Sequence, residues 1–581
     1  MDQKGAHALF LGLDIGRINT RAAYFGLAQG KYRLLGCESA STSLSQGLHI
    51  GAGAAMQKLQ TNSEREILNS QGGLIIPSVY ERGIDRVGML VSAGPEIRTA
   101  LLGVSLGGSL SAGKALLNSL PVKQVAVLGA ESLLNESDAV NTLVHRKPDL
   151  ILIAGGENGG AQHPVQRWVD IVHLVCSLVP EEIRPTVIFA GNQQVEAYAR
   201  RRIEHLTRLK LASNIQPESG IRDLIPAQLV MEQEIIKTWQ RDLTGLVELG
   251  KLSKELVAIK SQALNRMTRY FAKTKAGKQK DNLEKGVLAV DLGGGSTTIS
   301  AALGTQSGII FQPAWQDNLE NIDDSISFVQ RWSAIPASIR DVHQYLTNHT
   351  VHPGLVPESL ADLAMSQALA RHRLSSAARS FSEHHRWFEF SEDKGLTVHV
   401  EPIILSGAVF TQAPTIGEAA LILLDGLQPW GITTLVLDRH QILPLLGVIA
   451  SEQPILPVHL LESPVFEHLC TVITAVSGAK PEQKLMTIRV NIDSGKSYEV
   501  EIFQGTLRRL VIPPGVTAVL EINPARDTDV GFGGRGIGGQ LKVRGGALGV
   551  VVDARGRPIP LADDDGVRVE QVRKWLWNLG G

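Results

Sequence analysis

"LAVDLGGGSTTISAAL", residues 288–303, decides the fold. An apolar run ends on Asp291, three glycines follow, and hydroxyl residues lead into a second apolar run. This pattern predicts a β-hairpin whose tip carries a carboxylate and a glycine turn. "LGLDIGRINTRAAYFG", residues 11–26, repeats it almost half the chain earlier. Asp14 answers Asp291, Gly16 answers Gly293, and Thr20 answers Thr297. An internal repeat at that separation predicts two halves that begin alike.

The chemistry of such tips follows from their residue types. A carboxylate at a strand end can hold Mg²⁺, directly or through water. The neighbouring glycine permits close backbone approach to a phosphate. Successive N–H groups in the turn form an anion nest. Hydroxyls at Thr20, Ser296, Thr297 and Thr298 can donate to phosphate oxygens. Two such hairpins facing each other would grip a polyphosphate. Asp14 and Asp291 are thus the candidate Mg²⁺-positioning and catalytic residues. Gly16, Thr20, Arg21, Gly293, Gly294, Gly295, Ser296 and Thr297 are the candidate phosphate ligands. Arg17 stands where a small hydroxyl is expected. Its guanidinium either binds phosphate bidentately in that hydroxyl's place or fills the phosphate position.

The two stretches resemble the first and second phosphate motifs of the actin, sugar-kinase and heat-shock-chaperone ATPases, D-x-G-[ST]-x-[ST] and D-x-G-G-[GA]-[ST]-[TS]. The resemblance implies an α/β fold with two ribonuclease-H-like lobes, ATP and Mg²⁺ lying between them. It also implies an adenosine motif late in the second lobe. "EPIILSGAVFTQAP" (401–414) supplies one, with Ser406, Gly407 and Ala408 lining the nucleoside.

Further stretches narrow the match. "PDLILIAGGENGG" (148–160), "RPTVIFAGNQQVEAYARRRIE" (184–204), "GLVPESLADLAMSQALARHRLSSAARS" (354–380) and "LVLDRHQILPLLGVIA" (435–450) resemble the glutamate mutase L family, in the same order, over roughly residues 9–450. That resemblance implies a chaperone-like ATPase that assembles or reactivates an adenosylcobalamin-dependent mutase. The chain departs from the family at informative places. The first motif has Arg17 and Ile18 for Ser and Thr, and Arg21 for Lys. The second ends on Thr298 in place of an acid, and the acid-rich turn expected after it is matched only by "QDNLE", Gln316 to Glu320. These changes weigh on hydrolysis more than on binding. Slow Mg²⁺-dependent turnover, and a catalytically weak scaffold or filament-forming protein, both stay open.

The rest of the chain sets the frame. Its 581 residues are 43% apolar and 20% charged, with net charge near zero, so no overall field argues for nucleic acid. Cys37, Cys176 and Cys470 are scattered, which disfavours a disulfide scaffold or zinc site and fits a reducing, cytoplasmic setting. No secretory leader is expected, and no apolar run is long enough to span a bilayer. Histidines crowd between 343 and 385 without a metal-binding pattern. "GFGGRGIGG" (531–539) lacks the following helix that a dinucleotide fingerprint needs.

Four segments are expected: lobe I over 1–215, a helical segment of two helices with a Lys-rich linker over 216–285, lobe II over 286–450, and a small β domain over 451–581. In lobe I, alternating strands and helices predict a parallel sheet. In the last segment, alternating polarity with turns at "DSGK" and "PPG" predicts antiparallel strands closed by an amphipathic helix. Expected partners are ATP, Mg²⁺, a cobalamin-dependent mutase subunit and further copies of the chain; nucleic acid and membrane are not expected.

Overall fold

The computed structural model describes residues 8–80, 82–254, 256–276, 285–314 and 322–580. The "QDNLE" stretch and most of the Lys-rich linker lie outside the described residues. The chain divides into two compact units that do not follow chain order. One holds residues up to Thr42, Ala52–Leu90 and everything from Ala263; the other holds Ser43–Gly51 and Val91–Gln262. This division differs from the four expected segments, because the C-terminal strands pair with those of the expected lobe II and the parallel sheet stands as a unit of its own.

The first unit opens with a meander: β1 (Phe10–Ile15), β2 (Asn19–Ala28) and β3 (Lys31–Ser41) pair antiparallel in succession. β4 (Arg86–Val91) lies on the other side of β1, giving the order β4-β1-β2-β3. All six residues of β1 are buried, which its unbroken apolar run before Asp14 already implies.

The second unit is built on a parallel sheet. Its strands are β5 (Ile97–Leu102), β6 (Val122–Leu128), β7 (Leu150–Ile153), β8 (Thr186–Phe189) and β9 (Leu209–Leu211), in the order β6-β5-β7-β8-β9. Helices such as His163–Leu178 cover it, with Trp168 fully buried and its indole N–H donating to the Gly103 carbonyl at 3.0 Å. The turn at 155–160 is held by side chains: Asn214 donates to the Gly156 carbonyl and Asn192 to that of Gly160. Residues 216–276 form three helices rather than two. Ile225–Asp242 stops before Gly245, whose φ of 86° starts Leu246–Leu252, and the short β10 (Val257–Ile259) precedes Lys260–Ala276.

The repeat begins again with β11 (Gly286–Leu292), β12 (Ser296–Leu303) and β13 (Gln306–Pro313), another antiparallel meander. After three helices and the small hairpin β14 (Phe390–Ser391) and β15 (Gly395–Leu396), β16 (Val400–Ser406) lies parallel beside β11, and β17 (Ile432–Asp438) parallel beside β16. Both sheets thus place third, second, first and following strand side by side. β18 (Phe466–Thr474) extends the second sheet beyond β17. β19 (Lys484–Ile492), β20 (Ser497–Phe503), β22 (Thr517–Pro524) and β23 (Gly539–Arg544) form a separate antiparallel sheet in the order β20-β19-β22-β23. β21 (Thr506–Leu510) and β24 (Gly549–Ala554) return to the second sheet, which reads β13-β12-β11-β16-β17-β18-β24-β21. The C-terminal strands therefore form a β sheet of their own and also lengthen the sheet that carries Asp291.

Charges are buried where these pieces meet. Arg371, on the helix Leu360–His384, donates to Asp425 at 2.7 Å, and Arg555, just after β24, donates to the same carboxylate at 2.7 Å. Arg555 and Arg557 also hold Asp553, and the Arg555 guanidinium lies 4.7 Å from the Trp575 ring centre. The flanking cations hold the Asp553 carboxyl well below the usual range despite its burial. Trp575 is the inner face of the closing helix Asp565–Asn578, whose other tryptophan, Trp577, is 80% exposed.

Candidate functional site

Both hairpin tips share one hydrogen-bond scheme. In the first, the Gly16 N–H donates to the Asn19 carbonyl at 3.1 Å; in the second, the Gly293 N–H donates to that of Ser296 at 2.9 Å. The Ile18 carbonyl accepts from the Thr42 N–H at 2.8 Å, and the equivalent Gly295 carbonyl from the Ala314 N–H at 2.9 Å. Asp14 faces Arg21 across the first hairpin as Asp291 faces Thr298 across the second. The sequence repeat is thus a repeat of backbone geometry.

The first tip brings Asp14, Gly16, Arg17, Thr20 and Arg21 together. Asp14 is buried, with the Arg21 guanidinium 3.6 Å from its carboxylate. Thr20 is fully buried, and its hydroxyl is 2.8 Å from that of Thr42, which donates to the Gly16 carbonyl. Thr20 therefore braces the turn from beneath. Arg17 is exposed at the tip.

The second tip brings Asp291, Gly293, Gly294, Gly295, Ser296 and Thr297 together. Its brace is Arg373, which sequence reasoning missed. From the helix Leu360–His384, Arg373 donates to the Gly293 carbonyl at 2.7 Å and to the Thr297 hydroxyl at 3.2 Å. Burial pushes its guanidinium down to about 10, against the field of Asp291. An arginine inside a helical run reads as a solvated face, so periodicity alone conceals it.

Ser406, Gly407 and Ala408 stand beside Asp291, because β16 pairs with β11 in the register Asp291↔Ser406. The Ser406 hydroxyl is buried and donates to Asp438 at 3.0 Å. Asp438 also accepts the N–H groups of Ile442 and Leu443, which start the helix Leu443–Ile449. Burial lifts its carboxyl to about 6 in spite of these donors and the field of Arg21. That helix packs Leu445 against Gly12 of β1, so Asp438 ties the Ser406 turn to the strand carrying Asp14. Its sequence signal was available: like Asp14 and Asp291, it ends an apolar strand.

The two tips also touch. A Cβ at Gly294 would overlap Cδ1 of Ile18, and one at Gly354 would lie 3.1 Å from Cγ2 of the same side chain. A Cβ at Gly295 would lie 3.3 Å from Cβ of Arg17. The bulky pair of the first tip is seated on the glycines of the second.

Among the described residues no three His, Cys, Asp or Glu side chains are grouped as a metal cage. Two buried strand-end carboxylates fit a cation of another kind, one completed by water and phosphate oxygens, as Mg²⁺ prefers. Nor is any described helix long and apolar enough to cross a membrane.

Two sheets with the same strand order, each carrying a carboxylate and a glycine turn at the end of its first strand, define an α/β fold of the actin-like ATPase type. A family model described as MutL protein matches residues 10–465, and the chain belongs to that family. No curated protein matches it. Among solved structures it is similar to gluconate kinase from Lactobacillus acidophilus, at 8% identity, 80% of this chain and 93% of that one, with TM-score 0.30. It is similar also to xylulose kinase from Bifidobacterium adolescentis, at 10% identity, 80% and 95% coverage, with TM-score 0.28. A glycerol dehydratase reactivase gives 9% identity, 72% and 95% coverage, with TM-score 0.26.

Proposed function

We propose that the chain is an ATP-binding accessory protein of the cytoplasm that assembles or reactivates an adenosylcobalamin-dependent mutase of the glutamate mutase type. The observation that carries the nucleotide part is the juxtaposition of the two repeated tips, with Ser406 and Gly407 next to Asp291. The mutase part is supported by family membership. Backbone N–H groups of Gly294 and Gly295, the Ser296 hydroxyl and the cations Arg17 and Arg21 would bind phosphates on a turn closed by the Gly293 N–H, while the turn at Ser406 to Ala408 would lie along the nucleoside. Asp14 and Asp291 would hold Mg²⁺, whose charge would offset that of the phosphates. Hydrolysis of such a group depends on positioning and charge stabilisation, so the lost acids slow it more than they weaken binding. Binding of ATP would bias the two tips relative to one another and so change affinity for the mutase subunit.

The seating of Arg17 and Ile18 on the second tip favours a second reading, a scaffold with little or no turnover that self-associates. Titration calorimetry with ATP, ADP and Mg²⁺ on the wild type and Asp291→Ala tests nucleotide binding. The expected result is micromolar binding lost in the variant; heat-silent titrations of the wild type would sink the reading. Equal affinity for a mutase subunit with and without ATP would remove the accessory role, and concentration-dependent sedimentation without ATP turnover would select the scaffold.

A further inference from the structure

The two tips differ in size at matching positions. Arg17 and Ile18 of the first correspond to Gly294 and Gly295 of the second. The contacts cross: Ile18 seats on Gly294 and Arg17 on Gly295. Ile18 is held from a second side by Gly354, and the Pro353 carbonyl would lie 3.1 Å from a Cβ at Gly294. One isoleucine is therefore inserted between the glycine turn and the segment joining the helices Ile339–Val351 and Leu360–His384. Arg373 and the Ala314 N–H fix the glycine turn from behind, so it presents a formed socket.

We propose that Arg17 and Ile18 are a clasp, which locks the two tips together and which a polyphosphate must part to enter. This rests on the reading of the tips as a nucleotide site. The apolar Ile18 side chain stands over the N–H-rich turn, where an anion would otherwise sit. Displacing it costs the burial of part of an aliphatic side chain and frees the Arg17 guanidinium to turn toward the incoming phosphate. Affinity for a triphosphate is then reduced by the fraction of molecules in which the clasp is closed. The clasp thus sets which ligand opens the site: one with enough negative charge to replace an isoleucine contact by several N–H and guanidinium hydrogen bonds. A nucleoside alone would not part it.

Amide hydrogen exchange of the full chain without nucleotide reads the clasp directly. Ile18→Ala is expected to speed exchange of peptides covering 290–300 and 351–358 by roughly tenfold, about 1.4 kcal/mol of lost protection. Ile18→Val, which keeps the Cγ2 contact with Gly354 but loses the Cδ1 seated on Gly294, is expected to give an intermediate rate. Unchanged exchange in Ile18→Ala overturns the clasp. Calorimetry with ATP–Mg²⁺ reads the gate: Ile18→Ala is expected to bind roughly tenfold tighter, and equal or weaker binding overturns gating. If neither protein binds ATP while exchange still responds, the nucleotide reading fails and the clasp contact stands.

Discussion

Gly407 lies directly behind Asp291: a Cβ at residue 407 would come within 2.6 Å of the Asp291 carboxylate and 2.5 Å of the Leu292 carbonyl. Its φ of 98° is also one that side chains rarely adopt. The candidate nucleoside turn and the second candidate carboxylate are therefore one packed object. Gly407→Ala is expected to cost about 1–3 kcal/mol of stability from backbone strain, and more as Asp291 is pushed aside. Thermal melting checks the first part. ATP calorimetry checks the second, with affinity expected to fall roughly tenfold or more. A variant as stable and as tight-binding as wild type would show that the two residues move independently.

Arg373 gives a second test. Its guanidinium spans the Gly293 carbonyl and the Thr297 hydroxyl, tying the two sides of the glycine turn together. Arg373→Met removes both bonds from a charged donor, and about 2–3 kcal/mol of stability is expected to go with them. Arg373→Lys keeps the charge but not the fork, so it is expected to recover less than half. Urea unfolding of the three proteins orders them; equal stability of Arg373→Met and wild type would deny the brace.

Much of this site was legible in the sequence because it is local. Asp14 with Gly16 and Asp291 with Gly293 announce strand, turn and carboxylate within a few residues, and the repeat doubles the signal. What was not legible depends on distant partners. Arg373 reaches the turn from a helix some eighty residues on, and Asp438 meets Ser406 only through parallel pairing of β16 and β17. Ile18 looked like a lost hydroxyl. Its seat against Gly294 and Gly354 is a tertiary fact that no local pattern contains. The merging of β18, β21 and β24 into the second sheet was hidden for the same reason, since alternation marks a strand but not its neighbour.

The buried charges behind that sheet yield a third prediction. Asp425 accepts from both Arg371 and Arg555, and all three side chains are essentially inaccessible. Removing one partner of such a network leaves uncompensated charge, which typically costs about 3–5 kcal/mol. Asp425→Asn and Arg555→Met are each expected to fall in that range by chemical denaturation. The double variant is expected to lose less than the sum, because the two share a bond. Additive losses would show that Asp425 and Arg555 do not act as a unit.

The last prediction concerns acid. Burial beneath Phe328 holds the His372 imidazole down to about 4, with Arg379 adding to the effect and Asp324 opposing it. Its other contact is the Ser325 hydroxyl, 3.1 Å from Nε2. The unfolded chain takes up this proton from about pH 6.5, and the native protein only near 4. Stability is therefore complete above 6.5 and is lost as pH falls toward 4, by at most about 3 kcal/mol for the full shift. Asp438 works in the other sense. Its raised carboxyl stabilises the protonated native state, a contribution present below about 4 and lost as pH rises through 6. Comparing wild type with His372→Leu at each pH cancels the Asp438 part. The difference in unfolding free energy is expected to move in favour of the variant as pH drops from 7 to 4. A pH-independent difference would mean that His372 charges as readily in the native protein as in the unfolded chain.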